Sequence, residues 1–138
     1  MRNLGSEVKA SYVAIQPQLA SGEATAINGP AVNRRGYQGA ILVCQVGNTS
    51  GTPTRFGVTF KAQHRSGETD WIDISGATKT WSGETVATQN QQDEIDVDLK
   101  GIAVDVRAVC TPTFTAGSSP KIEVAASWVL GEAAVEPV

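Results

Sequence analysis

Soft metal ligands are scarce in this chain: its 138 residues include one histidine, two cysteines and one methionine. Zinc sites draw four ligands from Cys, His and carboxylates, so this inventory argues against one built on Cys44 and Cys110. A basic surplus is also missing: 11 Lys and Arg face 14 Asp and Glu, for a net charge of −3. Nucleic-acid binding normally leaves a basic stripe, so that class is excluded. No run approaches the ~20 apolar residues of a membrane helix. Met1–Glu7 lacks the apolar segment of a secretory signal, which implies assembly in a reducing cytoplasm. Nor is there a phosphate-binding glycine loop, because Gly47–Gly51 precedes no helix and lacks the following Lys-Ser/Thr.

What is present is turn chemistry between short alternating runs. Fourteen glycines and six prolines are spread along the chain, favouring many turns over long helices. Residues 10–16 read as a first strand closed by Pro17, and residues 17–36 as loop with a short strand near Ala24–Ile27. Residues 39–47 are nearly all apolar, as in a strand central to a sheet. In 55–64, Phe56, Val58, Phe60, Ala62 and His64 share one face. Trp71–Ile74 reads as a short return strand, and Gly76–Gly83 as a turn region holding Trp81. Residues 94–99 point Ile95, Val97 and Leu99 inward, Lys100-Gly101 leads tightly into strand 102–110, and 121–130 is the last long strand.

The expected fold is all-β: a single antiparallel β-sandwich, jelly-roll or Ig-like, of about seven or eight strands. Residues 1–36 are read as an N-terminal arm and loop region with one edge strand. Residues 37–131 are the sandwich core, and 132–138 a C-terminal tail. Leu42, Val58, Phe60, Val97, Val106, Val124 and Trp128 are expected in one shared core. Cys44 and Cys110 continue apolar alternations and read as buried thiols, with a disulfide between neighbouring strands as the alternative.

Catalytic and ligand-binding groups do not assemble into a motif. His64 sits at a strand end beside a turn, the place of an ordinary half-exposed histidine. The acidic run Asp93–Asp98 is explained by alternation, whereas Ca²⁺ takes about six to eight oxygens from a curved loop. No pair of outward carboxylates stands out for glycoside hydrolysis. No enzyme, cofactor or metal is expected. Trp128 shares a face with Ile122, Val124, Ala126 and Leu130, while Trp71 and Trp81 border turns and are candidates for an interface.

The order of elements resembles the capsid decoration (cement) proteins of tailed phages and similar head-surface proteins. The resemblance rests on Gly36-Tyr37 leading into a buried strand and on Trp71-Ile72-Asp73-Ile74-Ser75-Gly76-Ala77. It continues with Val106-Arg107-Ala108, the Ser119-Pro120 turn, and Leu130-Gly131 followed by a short tail with Pro137. It covers residues 27–138. It implies a non-enzymatic virion protein on the capsid surface, commonly a homotrimer, that binds the major capsid protein and stabilises the shell against internal pressure. Other roles in the particle, in the tail or the head–tail joint, are alternatives, as is a ligand- or carbohydrate-binding sandwich module.

Two surfaces are candidates for such contacts. Arg107 lies on the outward face of its strand, where a guanidinium can grip a carboxylate of a neighbouring strand or subunit in fork geometry. At the N-terminus, Leu4, Val8, Tyr12 and Ile15 are too widely spaced to form a core of their own. They either dock onto a capsid or a neighbour, or Tyr12–Ile15 forms an edge strand.

Overall fold

Alternating polarity makes one face of a strand apolar, and two such faces can bury each other. That pairing organises the computed structural model, which describes residues 8–21, 26–84 and 91–133. Its strands are β1 (Val8–Ser21), β2 (Ile27–Asn28), β3 (Val32–Asn33), β4 (Tyr37–Ser50) and β5 (Arg55–Arg65). They are followed by β6 (Ile72–Glu84), β7 (Gln91–Asp98), β8 (Asp105–Thr115) and β9 (Lys121–Ala133). No helix occurs among the described residues. One antiparallel sheet has the order β1-β9-β4-β7; the other has β2-β8-β5-β6, with β3 also on β8.

Among the described strands, β5 and β6 are consecutive in one sheet, as are the short β2 and β3, and every other consecutive pair lies in opposite sheets. This is the jelly-roll arrangement of interlocked Greek keys, which decides between the two sandwich types expected. The register places the β1–β2, β4–β5, β6–β7 and β8–β9 links at one end, where Ser21 and Ser50 both face Lys121. The β3–β4, β5–β6 and β7–β8 links lie at the other, where Arg65 faces Asp105.

Between the sheets lie Leu42, Val58, Phe60, Val97, Val106, Val124 and Trp128, all buried. They form one cluster with Cys44, Cys110, Ile122 and Leu130. At roughly 25 cal/mol per Å² of apolar area, such burial is the main force holding the sheets together. β4 is central, between β9 and β7. Its Leu42 and Cys44 are buried inward, while Ile41 and Val43 are half-buried outward, which explains its nearly continuous apolar run. The open side between the edge strands β6 and β7 is closed by an ion pair, Lys79 Nζ to Asp93 Oδ2 at 2.8 Å.

Several boundaries differ from the sequence reading, each for a local reason. β1 does not stop at Pro17 but runs on to Ser21. The register shifts between Ile15 and Gln18, so Pro17 sits at an irregularity of an edge strand, where a missing N–H is tolerated. Residues 76–83 are not a turn but part of the long β6. Lys61 pairs with Thr78 and Gln63 with Asp73, so residues 74–77 bulge opposite Ala62 alone. Gly76, at φ 79°, supplies the left-handed backbone this bulge requires. β8 starts at Asp105, so residues 99–104 form a loop instead of a tight connection.

Candidate functional site

On the outer face of β5, alternate positions carry Lys61, Gln63 and Arg65, opposite Arg107 and Asp105 of β8 and Asp73 of β6. Trp71, just before β6, lies against this row. The guanidinium carbons of Arg65 and Arg107 are each 4.4 Å from the centre of its ring, within cation–π range. Arg107 Nε donates to Gln63 Oε1 at 2.9 Å, and Gln63 Nε2 donates to Asp73 Oδ1 at 2.8 Å. Lys61 pairs with Asp73 at 3.1 Å. Hydrogen bonds from Gln63 and then Lys61 hold the Asp73 carboxyl below its ordinary pKa. Burial, and then the neighbouring Arg65, lower the pKa of Arg107. The patch is therefore rich in donors and positive charge, with two carboxylates, Asp73 and Asp105, among three cations. Such a surface suits the recognition of an anionic partner.

The residues singled out in the sequence scatter over the structure. Leu4 lies outside the described residues. Val8 begins β1, its backbone opposite Gly131. Tyr12 is exposed on the same edge strand, opposite Trp128. Ile15 is 1% exposed. It is a core residue and not a docking group, because the register shift after Val13 turns it inward. Trp81 is half-buried: it meets Phe60 edge-on at 5.7 Å between ring centres and packs against the core. Trp71 does lie in the outer patch. Among the described residues, Arg107 meets no carboxylate directly. Gln63, the cross-strand neighbour, intervenes and passes its second bond to Asp73.

Three contributors escaped the sequence reading. Gln63 belonged to the polar face of a well-recognised strand, and Arg65 was read as the first residue of the turn after it, whereas β5 runs through Arg65. The available signal was a basic residue six positions before a tryptophan across a turn, which is weak alone. Arg34 was hidden in a loop. Its guanidinium donates to the carbonyls of Tyr37, Ile102 and Ala103, binding the β3–β4 link to the β7–β8 link. His64 works alongside it, with Nδ1 accepting the Ala103 N–H at 3.0 Å. This is a structural role at the half-buried strand end expected for it.

The outer face of the four-stranded sheet differs. Glu94, Asp96 and Asp98 project from β7, opposite Val43, Ile41 and Gly39 of β4. Beside them runs an open groove of about 770 Å³, lined in part by Pro17, Leu19, Gln45, Gln92, Glu123 and Ala125. Gln45 Nε2 donates to Gln92 Oε1 at 2.9 Å across its floor. The two cysteines are free and buried between the sheets. Burial pushes both thiols up to about 12, so they are poor nucleophiles at neutral pH. The described residues contain no cluster of three or more His, Cys, Asp or Glu arranged to hold a metal.

Compared with known protein families and with curated proteins, the sequence matches none. The fold does have solved counterparts. One is the VP2 subviral particle of infectious bursal disease virus, at TM-score 0.51 and 7% identity over 90% of this chain. Another is the structure of the Gx strain of that virus, at TM-score 0.54 and 10% identity over 92% of this chain. The chain spans about a third of each of theirs, 32% and 33%. At this identity the likeness establishes the β-sandwich architecture, and function does not follow from architecture alone.

Proposed function

We propose that this protein is a non-enzymatic structural component of a virion. More narrowly, we propose that it decorates a tailed-phage capsid, binding the major capsid protein as a homotrimer on the capsid surface after synthesis in the host cytoplasm. The observation that carries the reading is the jelly-roll fold with two broad, chemically distinct outer faces. The likeness to a viral particle protein supports the general role. The ordered motifs from Gly36-Tyr37 to Leu130-Gly131 support the narrower one. The polar and charged side chains of the Arg65–Trp71–Arg107 patch fit surface recognition better than bond chemistry.

Mixing the purified protein with undecorated capsids and imaging the product tests this directly. Decoration gives density repeated at the local three-fold positions over the whole shell. A single ring at one vertex would instead assign the protein to the head–tail joint, and an unaltered shell would remove the decoration role.

The groove on the four-stranded sheet favours a second reading, a ligand-binding module. Its amides could meet the hydroxyls of a glycan. Neither Trp71 nor Trp81 lines it, so the aromatic stacking platform such modules commonly use is not supplied by the tryptophans there.

A further inference from the structure

Among the described residues, charges of opposite sign without an ion-pair partner lie on opposite outer faces. On the five-stranded sheet, Arg65 and Arg107 flank Trp71, and among the described residues neither forms an ion pair, although Asp105 is the cross-strand neighbour of Arg65. Asp73 is already engaged by Gln63 and Lys61. Arg65 Nε is buried and finds no acceptor among the described residues. On the four-stranded sheet, the edge strand β7 presents Glu94, Asp96 and Asp98, all exposed. Their cross-strand neighbours Val43, Ile41 and Gly39 carry no charge. Asp98 Oδ1 accepts the Lys100 backbone N–H at 3.0 Å, and among the described residues no ion pair engages Glu94, Asp96 or Asp98.

We propose that a second copy of this chain docks its β7 carboxylate row onto the Arg65–Trp71–Arg107 cluster, in a head-to-tail contact. The dimensions match. Each guanidinium lies 4.4 Å from the same ring centre, so the two are at most about 9 Å apart. Alternate side chains of a strand are spaced by ~7 Å. Adjacent carboxylates of the row can therefore each meet one guanidinium, and the repulsion between the two arginines is relieved. The apolar Ile41 and Val43 beside the row give the contact a dry flank against the indole. Row and cluster lie on opposite outer faces, so the contact is heterologous and repeats from copy to copy, closing into a ring or extending into a chain. This self-association gives the homotrimer of the proposed reading a specific contact but does not rest on the virion role, since copies can associate whether or not they bind a capsid.

Sedimentation velocity of the full chain over a wide concentration range, at low and high salt, is the test. The wild type associates at low salt and weakens as salt rises, because ions screen exposed pairs. E94K/D96K, on a solvent face away from the core, lowers the association constant at least tenfold, as does Arg107→Glu. An equimolar mixture of the two variants associates again, because each supplies the complement of the other's altered face. A monomeric wild type at low salt overturns the proposal. So does undiminished association of E94K/D96K, whatever Arg107→Glu does, or a mixture no stronger than its parts. Loss of capsid decoration with association intact would refute the virion reading alone.

Discussion

The two ends of the sandwich are closed by different means. At the β4–β5 and β8–β9 end the backbone does the work: Ser118 N donates to Gly51 O at 2.7 Å, and Thr54 N to Thr115 O at 2.9 Å. Gly51 and Gly117 adopt φ of 80° and 91°, and Thr52, Ala116 and Ser119 are also left-handed. At the other end, backbone bonds such as Arg34 N to Val104 O and Leu99 N to Gln38 O, both 2.9 Å, are joined by side chains. Arg34 holds three carbonyls, His64 accepts from Ala103, and Trp71 is flanked by two guanidiniums. Backbone closure tolerates almost no added volume, whereas side-chain closure tolerates volume and fails on loss of a specific donor.

The sharpest way to break that contrast is to add one methyl group at the backbone-closed end. A Cβ on Gly51 would lie 2.4 Å from Ser118 O and 2.8 Å from Pro120 Cα, on a left-handed backbone. Left-handed strain costs about 1–2 kcal/mol for a non-glycine residue and overpacking about 1–3. Gly51→Ala should therefore lower stability by roughly 2–5 kcal/mol in urea melts. An alanine at Gly36, which has open space around it, should cost only the strain.

The same contrast separates what the sequence made legible from what it did not. Alternation in 55–64 and 121–130 identified the inner faces, and the expected core residues from Leu42 to Trp128 are buried together. Gly-Pro-rich clusters marked the turns at the backbone-closed end. The bulges at Pro17 and Gly76 were misread as strand ends because proline and glycine punctuate turns and irregular strands alike. The side-chain-closed end was opaque for a different reason. Arg34 lies 68 and 69 residues from Ile102 and Ala103, whose carbonyls it binds, and no local period encodes such a meeting. Of the candidate site, Trp71 and Arg107 were singled out, while their link through Gln63 needed the pairing of β5 with β8.

At that second end, Arg34→Met keeps much of the aliphatic length and removes every donor. Charge-assisted hydrogen bonds contribute about 1.5–3 kcal/mol each where poorly solvated. Water can replace part of this at a half-buried site, so a net loss of about 2–3 kcal/mol is expected. Arg34→Lys should recover less than half of it, since one ammonium cannot span three carbonyls. Hydrogen exchange should show the loss locally, as faster exchange of the Ala103 and Tyr37 amides. Unchanged protection there would mean the loops hold without the guanidinium.

Arg107→Lys sharpens the comparison on a smaller scale. It retains the charge but loses the planar group over Trp71 and the directed Nε bond to Gln63. The expected cost is about 0.5–1.5 kcal/mol, with a change in Trp71 fluorescence as the guanidinium leaves one face of the indole. Arg107→Lys combined with Gln63→Ala should cost less than the sum of the singles, because both remove the same bond. Strict additivity would show that the two side chains act independently.

The smallest effect concerns Asp73, whose carboxylate is 62% exposed. Its pKa is lowered by the hydrogen bonds from Gln63 and then Lys61. A carboxyl depressed on folding contributes stability that is fully present above its unfolded value, ordinarily 3.8. That contribution is lost as pH falls through the lower folded value. Exposure and screening hold it to less than about 1 kcal/mol. Asp73→Asn should therefore be slightly less stable than the wild type at neutral pH, and the gap should close once pH drops below the carboxylate range. Paired urea melts at several pH values measure that gap. A gap that stayed constant into acid would mean that the introduced amide disturbs the bulge of β6 sterically, and that the Gln63–Asp73–Lys61 chain adds nothing through charge.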